Sequence, residues 1–256
     1  MEKIAREQAE PRTDTLVWGK NAVTELLKSG GAVDTVYLAD SLPQPVAGYY
    51  TALAKQTGAV VKRVPGHKLQ KICGTDDHQG VAARAAEVQY ASLEDLFAAA
   101  EAKSEAPFLV LCDGVEDPHN LGAIIRSAYL CGAHGVVIPK RRSAGLTSVV
   151  AKTSAGAVSH MKVARVPNIP SLLKDLKKQG VWVFGTAANG TTGLYDADLK
   201  GAAAIVIGSE GDGMTRLAAE NCDFLVSIPM RGRISSLNAS AAAAILLYEA
   251  VRQRTV

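Results

Sequence analysis

From Phe108 onward, short runs of consecutive apolar residues alternate with segments of helical period, and this alternation restricts the fold more than any other feature of the chain. The runs are Phe108-Leu-Val-Leu-Cys112, Gly135-Val-Val-Ile138, Val163 to Val166, Val181-Trp-Val-Phe184, Ala203-Ala-Ile-Val-Ile207 and Phe224-Leu-Val-Ser-Ile228. A strand that faces water on one side alternates polar with apolar residues, whereas one apolar throughout is covered on both sides. Helical spacing over 121–130, 148–155, 171–178, 214–221 and a terminal segment supplies the cover. The pattern predicts an α/β fold with a parallel sheet between two helical layers. Periodicity by itself would also lead to an unknotted chain.

The N-terminal part reads differently. Residues 1–14 are charged, contain Pro11 and have no apolar period, as expected of a mobile tail. Within 19–28, Ala22, Val23, Leu26 and Leu27 fall at helical spacing, and Thr35-Val-Tyr-Leu-Ala39 reads as a strand. A helix over 49–55 follows. Ala59-Val-Val-Lys-Arg-Val64 and Gly80-Val-Ala-Ala-Arg-Ala85 flank a short helix at 68–72. These elements make a small α/β unit over 15–88. Residues 89–106 hold Leu93, Leu96 and Phe97 ahead of the polar Glu101-Ala-Lys-Ser-Glu-Ala-Pro107, and read as a connection to a second domain at 107–256.

Composition excludes several classes. No apolar run approaches the ~18 residues of a membrane span, and the charged N-terminus lacks the apolar stretch of a signal peptide, so a soluble cytoplasmic protein is expected. Cys73, Cys112, Cys131 and Cys222 are scattered without a Cys-x-x-Cys pair, and the five histidines lack ligand spacing, so neither a disulfide framework nor a metal is expected. A formal net charge of +3 is too small to announce a nucleic-acid partner. Phosphate contacts would have to come from local clusters: Lys62-Arg63, Lys68 with Lys71, Lys140-Arg141-Arg142, and Arg231 with Arg233.

Three segments carry chemistry. The first is Asp117-Pro-His-Asn120-Leu-Gly-Ala-Ile-Ile-Arg126-Ser-Ala. The second is Ile207-Gly208-Ser-Glu210-Gly-Asp-Gly213-Met214. The third is Ile228-Pro-Met-Arg-Gly-Arg-Ile-Ser-Ser236-Leu-Asn238-Ala-Ser followed by an alanine-rich helix. The third joins a strand end to a loop rich in backbone and side-chain donors, and then to a helix whose short side chains admit a close neighbour. Helix capping at Ser236 or Asn238 accounts for part of it. In order and spacing the three resemble the motifs of the SpoU (TrmH) family of RNA ribose 2′-O-methyltransferases in the SPOUT superfamily. The resemblance covers about 106–253, and the preceding part is similar to the small substrate-binding domain of many members. It implies a SPOUT domain with a deep trefoil knot, S-adenosylmethionine as cofactor, and a homodimer with the site near its interface.

The same resemblance assigns residues. It places the cofactor's adenosine against Gly208, Ile228 and Leu237, with contacts from Thr186, Met230 and Asn238. From packing alone Ile228 and Leu237 would be core. Gly208 and Gly185 each close an apolar strand and suit close backbone approach. Arg126 lies about 140° around its helix from Leu121 and points away from the core. The family pattern makes it the catalytic arginine. An arginine is effectively always protonated and hence a poor base, so its expected role is to hold the substrate phosphate and assist deprotonation of the ribose hydroxyl. Asn120, which could simply cap its helix, would orient the arginine or substrate. Glu210 would be a positioning residue paired with Arg126, and Ser236 and Asn238 would lie beside cofactor and ribose. Where the commoner pattern has valine after the asparagine, this chain has Ala239, which leaves the polar groups intact.

The resemblance is greatest to the branch that modifies a guanosine of 23S ribosomal RNA and implies that substrate, with a tRNA ribose as the alternative. A non-catalytic RNA-binding or ribosome-assembly role is a third possibility, disfavoured by the intact polar set. The missing Gly-x-Gly-x-x-Gly after the first strand counts against a dinucleotide enzyme. The last helix carries Ile245, Leu246, Leu247, Tyr248 and Val251, apolar on more than one face, so one face can cover the sheet and another meet a second subunit.

Overall fold

The structure is a computed structural model and describes residues 16–29, 31–86, 88–232 and 236–255. The expected tail at 1–14 lies outside the described residues, as do Arg233 and Ser235. The chain divides into two compact units, 1–87 and 88–256.

The first unit runs β1 (Leu16–Trp18), α1 (Lys20–Lys28), β2 (Val33–Ala39), α2 (Gln44–Gln56), β3 (Val60–Val64), α3 (Gly66–Cys73) and β4 (Val81–Ala85). Its sheet has the order β1-β4-β2-β3, with β3 parallel to β2 and β4 antiparallel to both its neighbours. Strand alternation sorts β2 between two layers. Val36 and Leu38 pack with Val23 and Leu27 of α1 and Tyr50 and Ala54 of α2. Tyr37 and Ala39 pack with Val64 and with Leu69 of α3 on the other side. Gly74 ends α3 in the left-handed region at φ 68°, where a side chain would be strained.

The second unit begins with α4 (Leu93–Glu101) and continues through β5 (Phe108–Asp113), α5 (Pro118–Leu130), β6 (Gly135–Pro139), α6 (Ser148–Thr153), β7 (Val163–Val166) and α7 (Ile169–Lys178). Then come β8 (Trp182–Thr186), β9 (Thr192–Gly193), β10 (Ala203–Gly208), α8 (Arg216–Asn221), β11 (Phe224–Ser227) and α9 (Ala239–Arg254). The seven strands have the order β7-β6-β5-β10-β8-β11-β9, and every pair is parallel. All residues of β5, β6 and β10 are buried, as their unbroken apolar runs require. Leu109, Leu111, Val183 and Val206 face Leu172, Leu173 and Leu176 of α7. On the opposite face α5 packs against β6, α6 and α9, and α9 against β10. The expected parallel α/β architecture is therefore present.

The stretch 89–106 is not a free connection. Ser92 and Asp95 form a reciprocal capping box, with the Asp95 amide donating to Ser92 Oγ at 3.1 Å and the Ser92 amide donating to Asp95 Oδ2 at 2.8 Å. This cap opens α4, whose Leu96 is fully buried in the core of the second unit, over the bare Cα of Gly135. Ala91 bridges to Ala164. The polar residues after α4 suggest a linker, but Leu96 and Ala100 commit the helix to the sheet. Residues 187–202, which carry no period, are held from α9: Gln253 Nε2 donates to the Ala197 carbonyl at 2.9 Å, and its Oε1 accepts the Leu199 amide at 2.8 Å.

Candidate active site

The carboxyl ends of β5, β10, β8 and β11 converge where open parallel sheets bind ligands. β5 closes on Asp113, only 6% exposed, whose Oδ2 accepts the Thr215 amide at 2.7 Å and the Thr215 hydroxyl at 2.8 Å. Thr215 in turn caps α8, accepting the Ala218 amide at 3.3 Å. The loop after β10 is thereby tied to the end of β5. Asp113 did not stand out in the sequence. Its signal is a carboxylate placed directly after an all-apolar run, where an unpaired charge would be costly to bury.

That loop folds back on itself: the Ser209 amide donates to the Gly213 carbonyl at 2.9 Å and the Gly213 amide to the Ser209 carbonyl at 3.1 Å. Gly211 and Gly213 have φ of 107° and 69°, the left-handed side of backbone space that glycine tolerates. A Cβ on Gly208 would collide with the backbone of Gly213 and Met214, and one on Gly185 would lie 2.6 Å from Cys222 Sγ. The close approach expected at these two glycines is thus made by the protein's own loop and side chains. Burial pushes the Cys222 thiol up to about 12, so it stays neutral beneath the site.

Asp117, not Asn120, caps α5: its carboxylate accepts the His119 and Asn120 amides at 3.1 and 3.3 Å, with Pro118 at the first helical position. Asn120 is 6% exposed and donates from Nδ2 to Glu210 Oε2 at 2.9 Å. Asn238 caps α9, its Oδ1 accepting the Ser240 and Ala241 amides at 2.9 and 3.3 Å. Its Nδ2 donates to Asn120 Oδ1 at 2.9 Å and to Glu210 Oε2 at 3.1 Å. One residue from each motif therefore joins a closed triangle. Ser236 does not cap the helix; Asn238 does, and links the motifs with the same side chain.

Two cavities adjoin the triangle. One, of about 510 Å³, is lined by Asp113, Glu116, Asp117, Asn120, Arg142 and Glu210. The other, of about 490 Å³, is lined by Thr186, Gly208, Ile228, Met230, Ser236 and Leu237. They share Ser209, Asp212, Gly213, Met214 and Ala239. Five of the six residues expected around the cofactor's adenosine thus line one cavity, together with Ser236. Asn238, the sixth, lies in the triangle instead. Leu237 and Met230 are 38% and 37% exposed at the cavity's edge, although packing alone would bury Leu237.

Arg126 stands apart. It lies on the exposed side of α5, lines neither cavity and makes no hydrogen bond or ion pair among the described residues. Glu210 takes the amides of Asn120 and Asn238 in place of the expected arginine, because the starts of α5 and α9 meet beside the β10 loop while Arg126 is farther along α5.

The family model described as the SpoU rRNA Methylase family matches residues 107–248, the segment that carries all three motifs. The chain belongs to that family. A second model, RNA 2′-O ribose methyltransferase substrate binding, matches residues 16–91. Among SpoU relatives, YacO of Bacillus subtilis (strain 168), placed by its name in the TrmH family of tRNA/rRNA methyltransferases, is 48% identical over 93% of this chain and 95% of its own length. A Staphylococcus epidermidis protein with the same family name is 41% identical over 94% and 96% of the two chains. Of solved structures, the SpoU methyltransferase AviRb of Streptomyces viridochromogenes, in complex with AdoMet, is 26% identical over 94% of this chain and 91% of its own, with a TM-score of 0.60. The TrmH/SpoU tRNA modifying enzyme of A. aeolicus is 26% identical over 63% and 83% of the chains, with a TM-score of 0.54. As a SpoU family member the chain is an RNA methyltransferase.

Proposed function

We propose that this enzyme transfers the methyl group of S-adenosylmethionine to the 2′-hydroxyl of a ribose, a guanosine of 23S ribosomal RNA, in the cytoplasm and as a homodimer. The observation that carries the reading is the Asn120–Glu210–Asn238 triangle beside two adjoining cavities. The residues of the second cavity suit the cofactor. Ile228, Leu237, Leu225 and Val226 offer apolar surface to adenine, the backbone at the ends of β8 and β10 offers amides and carbonyls, and the volume falls in the range of small-molecule sites. Asp212, which lines both cavities, is a carboxylate for the positive charge of the ligand. When bound, S-adenosylmethionine supplies an electrophilic methyl on a sulfonium.

The chain's own residues do the rest. The triangle fixes the starts of α5 and α9 against the β10 loop, so that groups from three segments keep one geometry. Positioning of this kind accounts for much of the rate when a poor nucleophile must be aligned. Arg126, exposed and without an ion pair among the described residues, holds an RNA phosphate and assists deprotonation of the 2′-hydroxyl at the mouth of the first cavity, whose lining includes the carboxylates of Glu116, Asp117 and Glu210.

A tRNA ribose is the second reading, favoured by the A. aeolicus neighbour and by relatives named for tRNA and rRNA alike. Incubation with methyl-labelled S-adenosylmethionine and unmodified 23S rRNA or tRNA separates the two. We expect label on a 2′-oxygen of 23S rRNA, reduced at least a hundredfold by Arg126→Ala. Label confined to tRNA would select the second reading, and cofactor binding without transfer to either RNA would overturn both.

A further inference from the structure

The first unit segregates its charge. Between Asp40 and Asp76 the sequence contains no aspartate or glutamate, yet it carries Lys55, Lys62, Arg63, Lys68 and Lys71. The structure sorts these five. Arg63 is committed, its Nη2 donating to the Asp40 carbonyl at 3.0 Å and its Nε lying 3.9 Å from the Asp40 carboxylate. Lys55 is on α2, in the layer formed with α1. Lys62, Lys68 and Lys71 are exposed and meet no carboxylate among the described residues.

These three share one side of the unit. Lys62 is opposite Tyr37 in the β2–β3 register and two residues from Val64, both of which belong to the layer under α3. Strand alternation therefore puts Lys62 on the α3 side and Arg63 on the other. On α3, Leu69 is fully buried. Lys68 and Lys71 lie about 100° and 160° around the helix from it, on the outer surface and three residues apart, so they are neighbours.

We propose that Lys62, Lys68 and Lys71 form the face that grips the phosphate backbone of the RNA substrate. The inference rests on the reading of the enzyme as acting on RNA, and it deepens that reading by naming where the polyanion is held. Charge complementarity carries it: three exposed cations lie on one side of the unit, with no aspartate or glutamate over 35 residues of sequence. The family model that spans them is one for substrate binding. Lysines act on phosphate as point charges without the planar fork that reads a base edge, so this face supplies affinity and register while base identity is read elsewhere.

The test is binding of a 23S rRNA transcript by the full chain over a range of salt. The comparison is wild type against Lys62→Gln/Lys68→Gln/Lys71→Gln, with Lys28→Gln/Lys55→Gln as a control of similar charge on the α1–α2 side. Each lost phosphate contact reduces the slope of log affinity against log salt by about 0.7–0.9, so the triple variant should lose about two units of slope, raise KM for RNA at least tenfold and keep its affinity for S-adenosylmethionine. A single Lys71→Gln should lose about one contact's share, which keeps the test valid if the triple variant misfolds. An unchanged slope in both variants, or an equal loss in the control, overturns the proposal. If wild type methylates the RNA while the triple variant keeps its slope, the face falls and the reaction stands. If wild type binds with a lysine-dependent slope but methylates nothing, the face stands and the reaction falls.

Discussion

Asn238 uses its carbonyl oxygen on the amides that open α9 and its amino group on Asn120 and Glu210, so substitution can separate the two tasks. Asn238→Ser keeps a good cap and removes the amino donor. We expect its Tm to stay near that of the wild type while methyl transfer falls at least tenfold. Asn238→Ala should lose the transfer and in addition about 1 kcal/mol of stability, seen as a Tm lower by about 2–4 °C. Full activity in the serine variant would show that the triangle is not needed for catalysis. Sequence reading found all three members of the triangle but not its connections, and it paired Glu210 with Arg126. The reason is geometric: spacing along one helix predicts which residues share a face, but not which helix start will stand beside a loop 90 residues away.

Among the elements, β5 is tied at its first residue to a buried histidine from the turn before β6. The Phe108 amide donates to His134 Nδ1 at 3.0 Å, so the ring proton sits on Nε2, 3.0 Å from Glu105 Oε2. Burial holds the His134 imidazole below its ordinary 6.5, with Glu105 opposing that shift in part. The unfolded chain therefore binds a proton more readily than the folded one. The stabilisation is complete above about pH 6.5 and is lost as the pH falls through the folded value. Urea unfolding should show a lower midpoint at about pH 5.5 than at about pH 7.5, and His134→Gln, which keeps an acceptor for Phe108 but does not titrate, should narrow that gap. An identical gap in the variant would assign it to other groups. The helix α4 makes a second prediction. Leu96→Ala should cost about 2–5 kcal/mol of the second unit's stability. A fragment of residues 88–256 should unfold cooperatively, whereas one of 107–256, lacking α4, should not. Equal cooperativity in the two would return 89–106 to the role of a linker.

At the scale of the molecule, α9 buries Leu246, Leu247 and Ala250 and leaves Ile245 and Tyr248 exposed at 39% and 72%. Exposed apolar residues on a helix whose other side fills the core suit a second copy of the chain. Light scattering coupled to size exclusion should give twice the mass of one chain, and Tyr248→Glu with Ile245→Glu should halve it; a wild-type monomer at micromolar concentration would end the dimer proposal. The sequence alone marked the six apolar runs that become strands, and hence a parallel sheet with two helical layers. Burial of every residue holds in β5, β6 and β10, whereas Trp182 and Phe224 stay exposed at 56% and 37% because β8 and β11 lie toward the sheet edge. It also marked the residues of the three motifs. Only the tertiary structure decided that β5 lies beside β10, that Asp113 holds Thr215 across 102 residues, that α4 belongs to the second unit and that Arg126 remains outside the triangle. Those outcomes depend on how crossover connections order the strands and on polar groups finding partners far along the chain, and no local period encodes either.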